Sequence, residues 1–202
     1  MKGELIALEG LSNAGKTSLC EVLKRTLNKG GTPITCAKEL CTPVGHTLDR
    51  LFREGVAMEP EFKALAFATD RRMLVSQTIL PSLASGIHVI VDRYSLTNLV
   101  YRELDGCSAS WLASLDEGIP SPGLTIIVDI SPRTSIDRAL ACGKPTPNSE
   151  TFLALARQSY LKLAELEEYP VVNGEGSFSS VTSECCKVVQ AFLATCDRNK
   201  EE

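Results

Sequence analysis

An α/β fold, in which a mostly parallel five-stranded sheet lies between helices in three layers, is the class this 202-residue sequence predicts. Three observations carry that expectation. Short apolar, β-rich runs alternate with amphipathic stretches along the chain; charged residues stand at the C-terminal ends of those runs; and the first run, Leu5-Ile6-Ala7-Leu8, leads straight into Gly10-Leu11-Ser12-Asn13-Ala14-Gly15-Lys16-Thr17.

That octet fits G-x-x-x-x-G-K-[ST], the phosphate-binding loop or P-loop, and makes the expected fold a P-loop NTPase fold. Consecutive backbone N–H groups of such a loop, continued by Ser18 in the first helical turn, converge on nucleotide phosphates. The glycines permit backbone angles that a Cβ would obstruct. Lys16 is expected to reach the β- and γ-phosphates and the Thr17 hydroxyl to ligate Mg²⁺. The helix read over 16–28 carries Leu19, Val22, Leu23 and Leu27 at helical spacing and points its positive dipole end at the same place. The competing reading is an ordinary glycine-rich turn between a strand and a helix.

Lys29-Gly30-Gly31 stops that helix, and 33–37 reads as a second strand ending at Lys38-Glu39. A charged pair at a strand end is either part of a ligand site, as in open α/β sheets, or a loop salt bridge. After an irregular 40–43, a short helix is expected over 47–53. A long one opens at Glu59-Pro60-Glu61 and runs to Gly86, with Pro81 kinking or breaking it. Phe67 and Arg71, spaced i, i+4, share a face of it.

The most β-like run, 87–91, ends at Asp92-Arg93-Tyr94. Asp92 stands where a P-loop protein holds Mg²⁺, with Arg93 next to it facing phosphate; the alternative for Asp92 is a helix cap. His88 reads as a core histidine. Helices are expected over 95–102, carrying Thr97 and Tyr101, and over 110–117, before the breaker run 118–123. The continuously apolar 124–129 is a strand buried on both faces. Pro132 opens a helix ending near Cys142-Gly143, and the proline-interrupted polar segment at about 142–149 reads as a short lid loop. A helix over 149–168, a fifth strand over 170–173 and a helix over 181–195 complete one domain spanning 1–202.

Bulk properties narrow the partners. A net charge of −4 argues against binding a nucleic-acid polymer, and the absence of a long apolar run argues against a membrane, which leaves the cytoplasm as the expected location. The eight cysteines contain no C-x-x-C pair and there are only two histidines, so small packed thiols are favoured over a zinc site.

The order of these motifs resembles the thymidylate kinase family of nucleoside monophosphate kinases: LEGLSNAGKTS at the loop, LAFATDRR in the long helix, VIVDRYSLTNLVYR at the third strand, LTIIVDISPRTSIDRA at the fourth, then SYLKLAE and VVNGEGS. The resemblance implies phosphoryl transfer from ATP, as co-substrate with Mg²⁺, to a deoxynucleoside monophosphate, with dTMP becoming dTDP. It assigns Lys16, Asp92 and Arg93 to catalysis and Thr17 and Asp92 to the metal. Gly10, Leu11, Ser12, Asn13, Ala14, Gly15, Lys16, Thr17, Ser18 and Arg138 fall to ATP, with 173–177 against the adenine. Lys38, Glu39, Phe67, Arg71, Arg93, Thr97 and Tyr101 fall to the acceptor. Phe67 would stack on the base, Arg71 would bond its edge and Arg93 would grip the phosphate, although core packing also accounts for Phe67 and Tyr101. A homodimer is implied too, with the apolar helices over 62–83 and 96–104 as its interface, although burial within the monomer accounts for the same residues.

The family pattern is not complete. An acid is common at Ser12, a base at Asn13 or arginines in the lid, an arginine at Lys38 and a glutamine at Arg102; here Lys144 is the lid cation and Arg138 precedes it. A kinase for another nucleotide or a nucleoside, or a nucleotide-binding regulatory protein with weakened catalysis, therefore stands as the alternative.

Overall fold

The computed structural model describes residues 2–143 and 148–198, so Lys144 and the centre of the expected lid lie outside the described residues. Five strands, β1 (Leu5–Glu9), β2 (Ile34–Lys38), β3 (His88–Asp92), β4 (Leu124–Asp129) and β5 (Val171–Asn173), form one sheet in the order β2-β3-β1-β4-β5. Every pairing is parallel rather than most of them. Parallel pairing requires a crossover between strands, and the helical segments supply it.

Alternation along the strands divides the core. Ile6, Leu8, Ile90, Ile126 and Val128 face one side, where they meet Leu19, Leu23 and Leu27 of α1 (Lys16–Lys29), Leu153, Ala156 and Tyr160 of α8 (Glu150–Leu166), and Val181, Cys185 and Val189 of α9 (Phe178–Arg198). Leu5, Ala7, Val89 and Val91 face the other, against Leu74 of α3 (Pro60–Leu74), Val75, Ile79 and Leu83. Both faces of the sheet are therefore covered, which is why β1 is apolar at consecutive positions.

The long helix shows why a proline can sit in its path. The α-helix stops at Leu74, a π-helical turn occupies Val75–Ile79, and α4 (Leu80–Ala84) resumes. Leu80 N–H reaches back five residues to the Val75 carbonyl. The wider turn accommodates Pro81, which lacks an N–H and crowds the preceding turn, so the helix is neither broken nor ended there.

Element ends differ from the sequence-based expectation where caps decide them. α2 (Pro43–Arg53) begins four residues before the expected 47, because Thr42 is its N-cap: the Thr42 hydroxyl accepts from Gly45 N at 3.2 Å, and Pro43 occupies the first turn. β2 begins at Ile34 rather than Pro33, and β3 at His88 rather than Ile87. α5 (Ser95–Leu104) runs two residues beyond the expected end, α6 (Ala109–Ser114) is shorter than 110–117, and α9 starts three residues early. His88 is half-buried and its Nδ1 accepts from Glu4 N at 3.0 Å, the packed role expected of it.

Candidate active site

Register sets the site. Leu8 lies beside Asp92 across β1–β3, and Lys38 lies beside Asp92 across β2–β3, so the P-loop, Asp92-Arg93 and Lys38-Glu39 all leave the same C-terminal edge of the sheet. The loop turns tightly. Gly10 has φ of 129° and its Cβ position lies 2.4 Å from the Val128 carbonyl oxygen, so only glycine fits. Asn13 (φ 61°) and Gly15 (φ 91°) are also left-handed, the kind of backbone turn from which successive N–H groups can form an anion-binding nest.

Lys16 is 4% exposed and donates to the carbonyls of Gly10 at 3.0 Å and Leu11 at 2.7 Å. Burial, aided by the neighbouring Arg93 cation, lowers its pKa to about 7, against the pull of Asp92 and Glu9. The Thr17 hydroxyl donates to the Asp92 carboxylate. Arg93 has φ of 70°, a strained value for a residue with a side chain, and its fork donates to Ser12 Oγ at 3.1 Å and Thr97 Oγ1 at 3.0 Å. Burial acts to lower the Arg93 pKa, but nearby Tyr101, Tyr160, Asp92 and Glu9 outweigh it and hold the guanidinium as a cation. The same guanidinium lies 5.8 Å from the Tyr101 ring centroid.

Beneath these groups is Glu9, fully buried at the end of β1. Its carboxylate accepts from Tyr94 N at 2.9 Å, from Thr97 N at 3.3 Å and from the Thr97 hydroxyl, which also meets the Tyr160 hydroxyl at 2.9 Å. Glu9 thus fixes the start of α5 and, through Thr97, aims Arg93. Sequence reasoning assigned Glu9 no role, although an acid ending a buried strand immediately before the loop was a readable signal.

On the β2 side the expected base-reading arginine is held by acids. Arg71 is fully buried; it donates to Asp116 in two prongs at 2.9 and 3.1 Å and to Glu39 at 2.5 Å. Burial lifts the Glu39 carboxyl to about 8 despite the opposing charge of Arg71. Asp70, also fully buried, accepts from Leu40 N at 2.7 Å and from the Thr42 hydroxyl at 2.6 Å, and so shapes the loop that carries Glu39. Nothing local in the sequence marked Asp116, which comes from 45 residues beyond Arg71. Phe67 is half-buried with its ring 5.9 Å from that of Phe52, and Lys38 is exposed. Buried polar atoms without a hydrogen-bond partner among the described residues include Glu39 Oε2, Asn98 Oδ1, the Tyr101 hydroxyl and Arg102 Nε.

On the opposite side, α7 (Pro132–Ala141) braces the loop. Ser135 Oγ donates to the Ser12 carbonyl at 2.8 Å, Asn13 Nδ2 donates to the Ser135 carbonyl at 3.1 Å, and Arg138 donates to the carbonyls of Asn13 at 3.3 Å and Gly174 at 2.9 Å. A cavity of about 280 Å³ opens here between Asn13, Gly15, Ser18, Arg138, Gly174 and Phe178. A second, of about 360 Å³, opens on the β2 side and touches Thr17, Lys38 and Asp92. The residues expected at the site fall accordingly: Arg138 with the loop and 174–177, Lys16, Thr17, Asp92, Arg93, Thr97 and Tyr101 at its centre, and Glu39 with Arg71 to one side.

The family model described as thymidylate kinase matches residues 8–185. A protein of Pyrococcus abyssi described as a probable thymidylate kinase is 33% identical, with 96% of this chain and 98% of its own length covered. One of Archaeoglobus fulgidus with the same description is 31% identical, with 94% and 96% covered. A thymidylate kinase of Haemophilus ducreyi is 30% identical, with 96% of each covered.

Proposed function

Since the chain belongs to the thymidylate kinase family, we propose that it transfers the γ-phosphoryl group of ATP to dTMP, giving dTDP and ADP, from a donor on the P-loop to an acceptor lying toward β2. The observation that supports the residue assignment is that Lys16, Asp92 and Arg93, at the ends of two adjacent strands, each bond a residue of the P-loop.

The acceptor phosphate oxygen attacks the γ-phosphorus while the bond to the leaving ADP oxygen breaks. Such transfers are accelerated mainly by alignment and by cations around the equatorial oxygens. Lys16, now on two loop carbonyls, exchanges them for phosphate oxygens. Arg93 offers a planar fork to the acceptor phosphate while Thr97 and Glu9 keep it aimed. Lys38 adds a point charge at the end of β2. Phe67, Arg71 and Tyr101 bound the nucleoside, with Glu39 setting the position of Arg71. Arg138 and the segment 173–177 border the adenine.

Thr17 and Asp92 would hold Mg²⁺, which would neutralise charge on the β- and γ-phosphate oxygens. The donor set suits a hard cation: a hydroxyl and a carboxylate already in contact. The ion would take its remaining oxygens from nucleotide and water.

No helix among the described residues is long and apolar enough to cross a membrane. We assign the activity to the cytoplasm, where ATP is supplied and thiols stay reduced. A homodimer is proposed from the outward apolar residues Phe62 and Leu65, each 49% exposed on α3.

An ADP-release assay with Mg·ATP and a panel of nucleoside monophosphates and nucleosides tests the reading. Turnover confined to dTMP and abolished in Lys16→Ala supports it; ATP binding with no acceptor turned over overturns it.

A further inference from the structure

The 360 Å³ cavity on the β2 side is walled by three thiols as well as by phosphate-site residues: Cys20, Cys36 and Cys41 beside Thr17, Lys38 and Asp92. Cys20 is buried on α1, one turn beyond Thr17. Cys36 is half-buried on β2, two residues before Lys38, and pairs in register with Ile90, two residues before Asp92. Cys36 Sγ donates to the Cys20 carbonyl at 3.2 Å, so the two residues are packed directly against each other where α1 crosses β2. No disulfide is present, and the cavity gives a small solute access to Cys36 from solvent.

We propose that Cys20 and Cys36 form a peroxide-reactive thiol pair, a modification site whose disulfide would tie α1 to β2 beside the phosphate site and slow the enzyme. The roles of the two thiols differ. Cys36 is half-buried on the cavity wall, and the adjacent Cys20 lowers its pKa although burial opposes it; Cys20 is buried, and the adjacent Cys36, with burial, raises its pKa well above the usual value. Cys36 is thus the nucleophile and Cys20 the resolving thiol.

In the first step Cys36 sulfur attacks a peroxide oxygen and breaks the O–O bond, giving a sulfenic acid and one water from hydrogen peroxide. In the second, Cys20 sulfur attacks Cys36 sulfur and expels the hydroxyl as a second water. Two thiols lose two electrons and two protons, and the peroxide is reduced to two waters. A bond of about 2.05 Å then joins the two sulfurs where Cys36 Sγ now rests on the Cys20 carbonyl. It draws the first turns of α1 toward β2 and displaces Thr17 relative to Asp92. The thiol chemistry stands apart from the kinase reading; only the effect on turnover rests on it.

The full chain, reduced and then exposed to hydrogen peroxide, is mapped by peptide mass spectrometry alongside measurements of Mg·ATP affinity and dTMP phosphorylation. The expected result is a Cys20–Cys36 cross-linked peptide pair two hydrogens lighter than the reduced peptides. It should form before oxidation at exposed Cys142, with a fall of roughly tenfold or more in turnover that dithiothreitol reverses. Cys36→Ser should abolish the link and the sensitivity, while Cys41→Ser should retain both. Failure of the wild-type chain to form the link, whether by inertness, over-oxidation or pairing with another cysteine, overturns the proposal, and this readout needs neither a variant nor activity. A link that leaves both ATP affinity and turnover unchanged overturns its regulatory part.

Discussion

Arg93 donates to the Ser12 hydroxyl at 3.1 Å across 81 residues of chain, joining the end of β3 to the P-loop. Its other prong rests on Thr97, which Glu9 holds in turn. The guanidinium is therefore pre-aimed before any ligand arrives, and its left-handed backbone is the strained feature that the surrounding bonds maintain.

Arg93→Lys keeps the charge and loses the fork. A point charge on a flexible stem cannot contact Ser12, Thr97 and a phosphate in one plane. Turnover of dTMP should fall by about two to three orders of magnitude while the melting temperature moves by only a few degrees. Steady-state kinetics beside a thermal melt check it; a melt that collapses together with the rate would mean that Arg93 is chiefly structural.

Arg71 pairs with both Glu39 and Asp116, and its removal leaves the Asp116 carboxylate without that cation. Arg71→Ala should cost about 3–5 kcal/mol of unfolding free energy, the usual penalty for leaving a largely buried carboxylate, here that of Asp116, without its partner. The double variant Arg71→Ala with Asp116→Ala should recover part of that loss. Urea unfolding of the wild type, both single variants and the double variant measures the coupling, and strict additivity would contradict it.

Glu39 gives the stability a defined pH dependence. Its folded pKa of about 8 lies above the ordinary 4.5, so between those values the native state binds more protons than the unfolded chain. That contribution is fully present below pH 4.5 and is lost as the pH rises through about 8. Glu39→Gln, neutral throughout, should therefore gain in urea midpoint relative to the wild type on going from pH 5 to pH 9. A difference between the two proteins that is the same at both pH values would refute the assignment.

Gly45 sits in the first turn of α2, where a Cβ would lie 2.3 Å from Asp70 Oδ1 and 2.4 Å from Leu40 Cα. Gly45→Ala must push apart the Asp70 anchor and the loop behind Glu39. We expect a loss of about 1–3 kcal/mol, the range for overpacking a tight site, and a raised KM for dTMP with the ATP affinity little changed. Equal losses for both nucleotides would show that the disturbance is not confined to the β2 side.

Much of this arrangement is legible in the residues. Gly10 to Thr17 behind an apolar strand fixes the P-loop, since few backbones accept two such glycines and a lysine there. The alternation of strands and helices fixes the parallel sheet, and acids and bases at strand ends fix its active edge. Boundaries were less legible at 40–43, where the Thr42-Pro43 cap reads as irregular sequence until its bond to Gly45 is seen.

What the sequence alone determined is thus everything that local chemistry dictates: the loop, the order of elements and the positions of Lys16, Asp92 and Arg93. Only the tertiary structure decided the strand order β2-β3-β1-β4-β5 and the pairing of Arg71 with Asp116, of Glu9 with Thr97 and of Cys20 with Cys36. These contacts join residues on different elements, and no periodicity or spacing encodes which buried acid will meet which buried base. That choice is made when the helices pack across the sheet and each buried polar group is left with the one partner in reach.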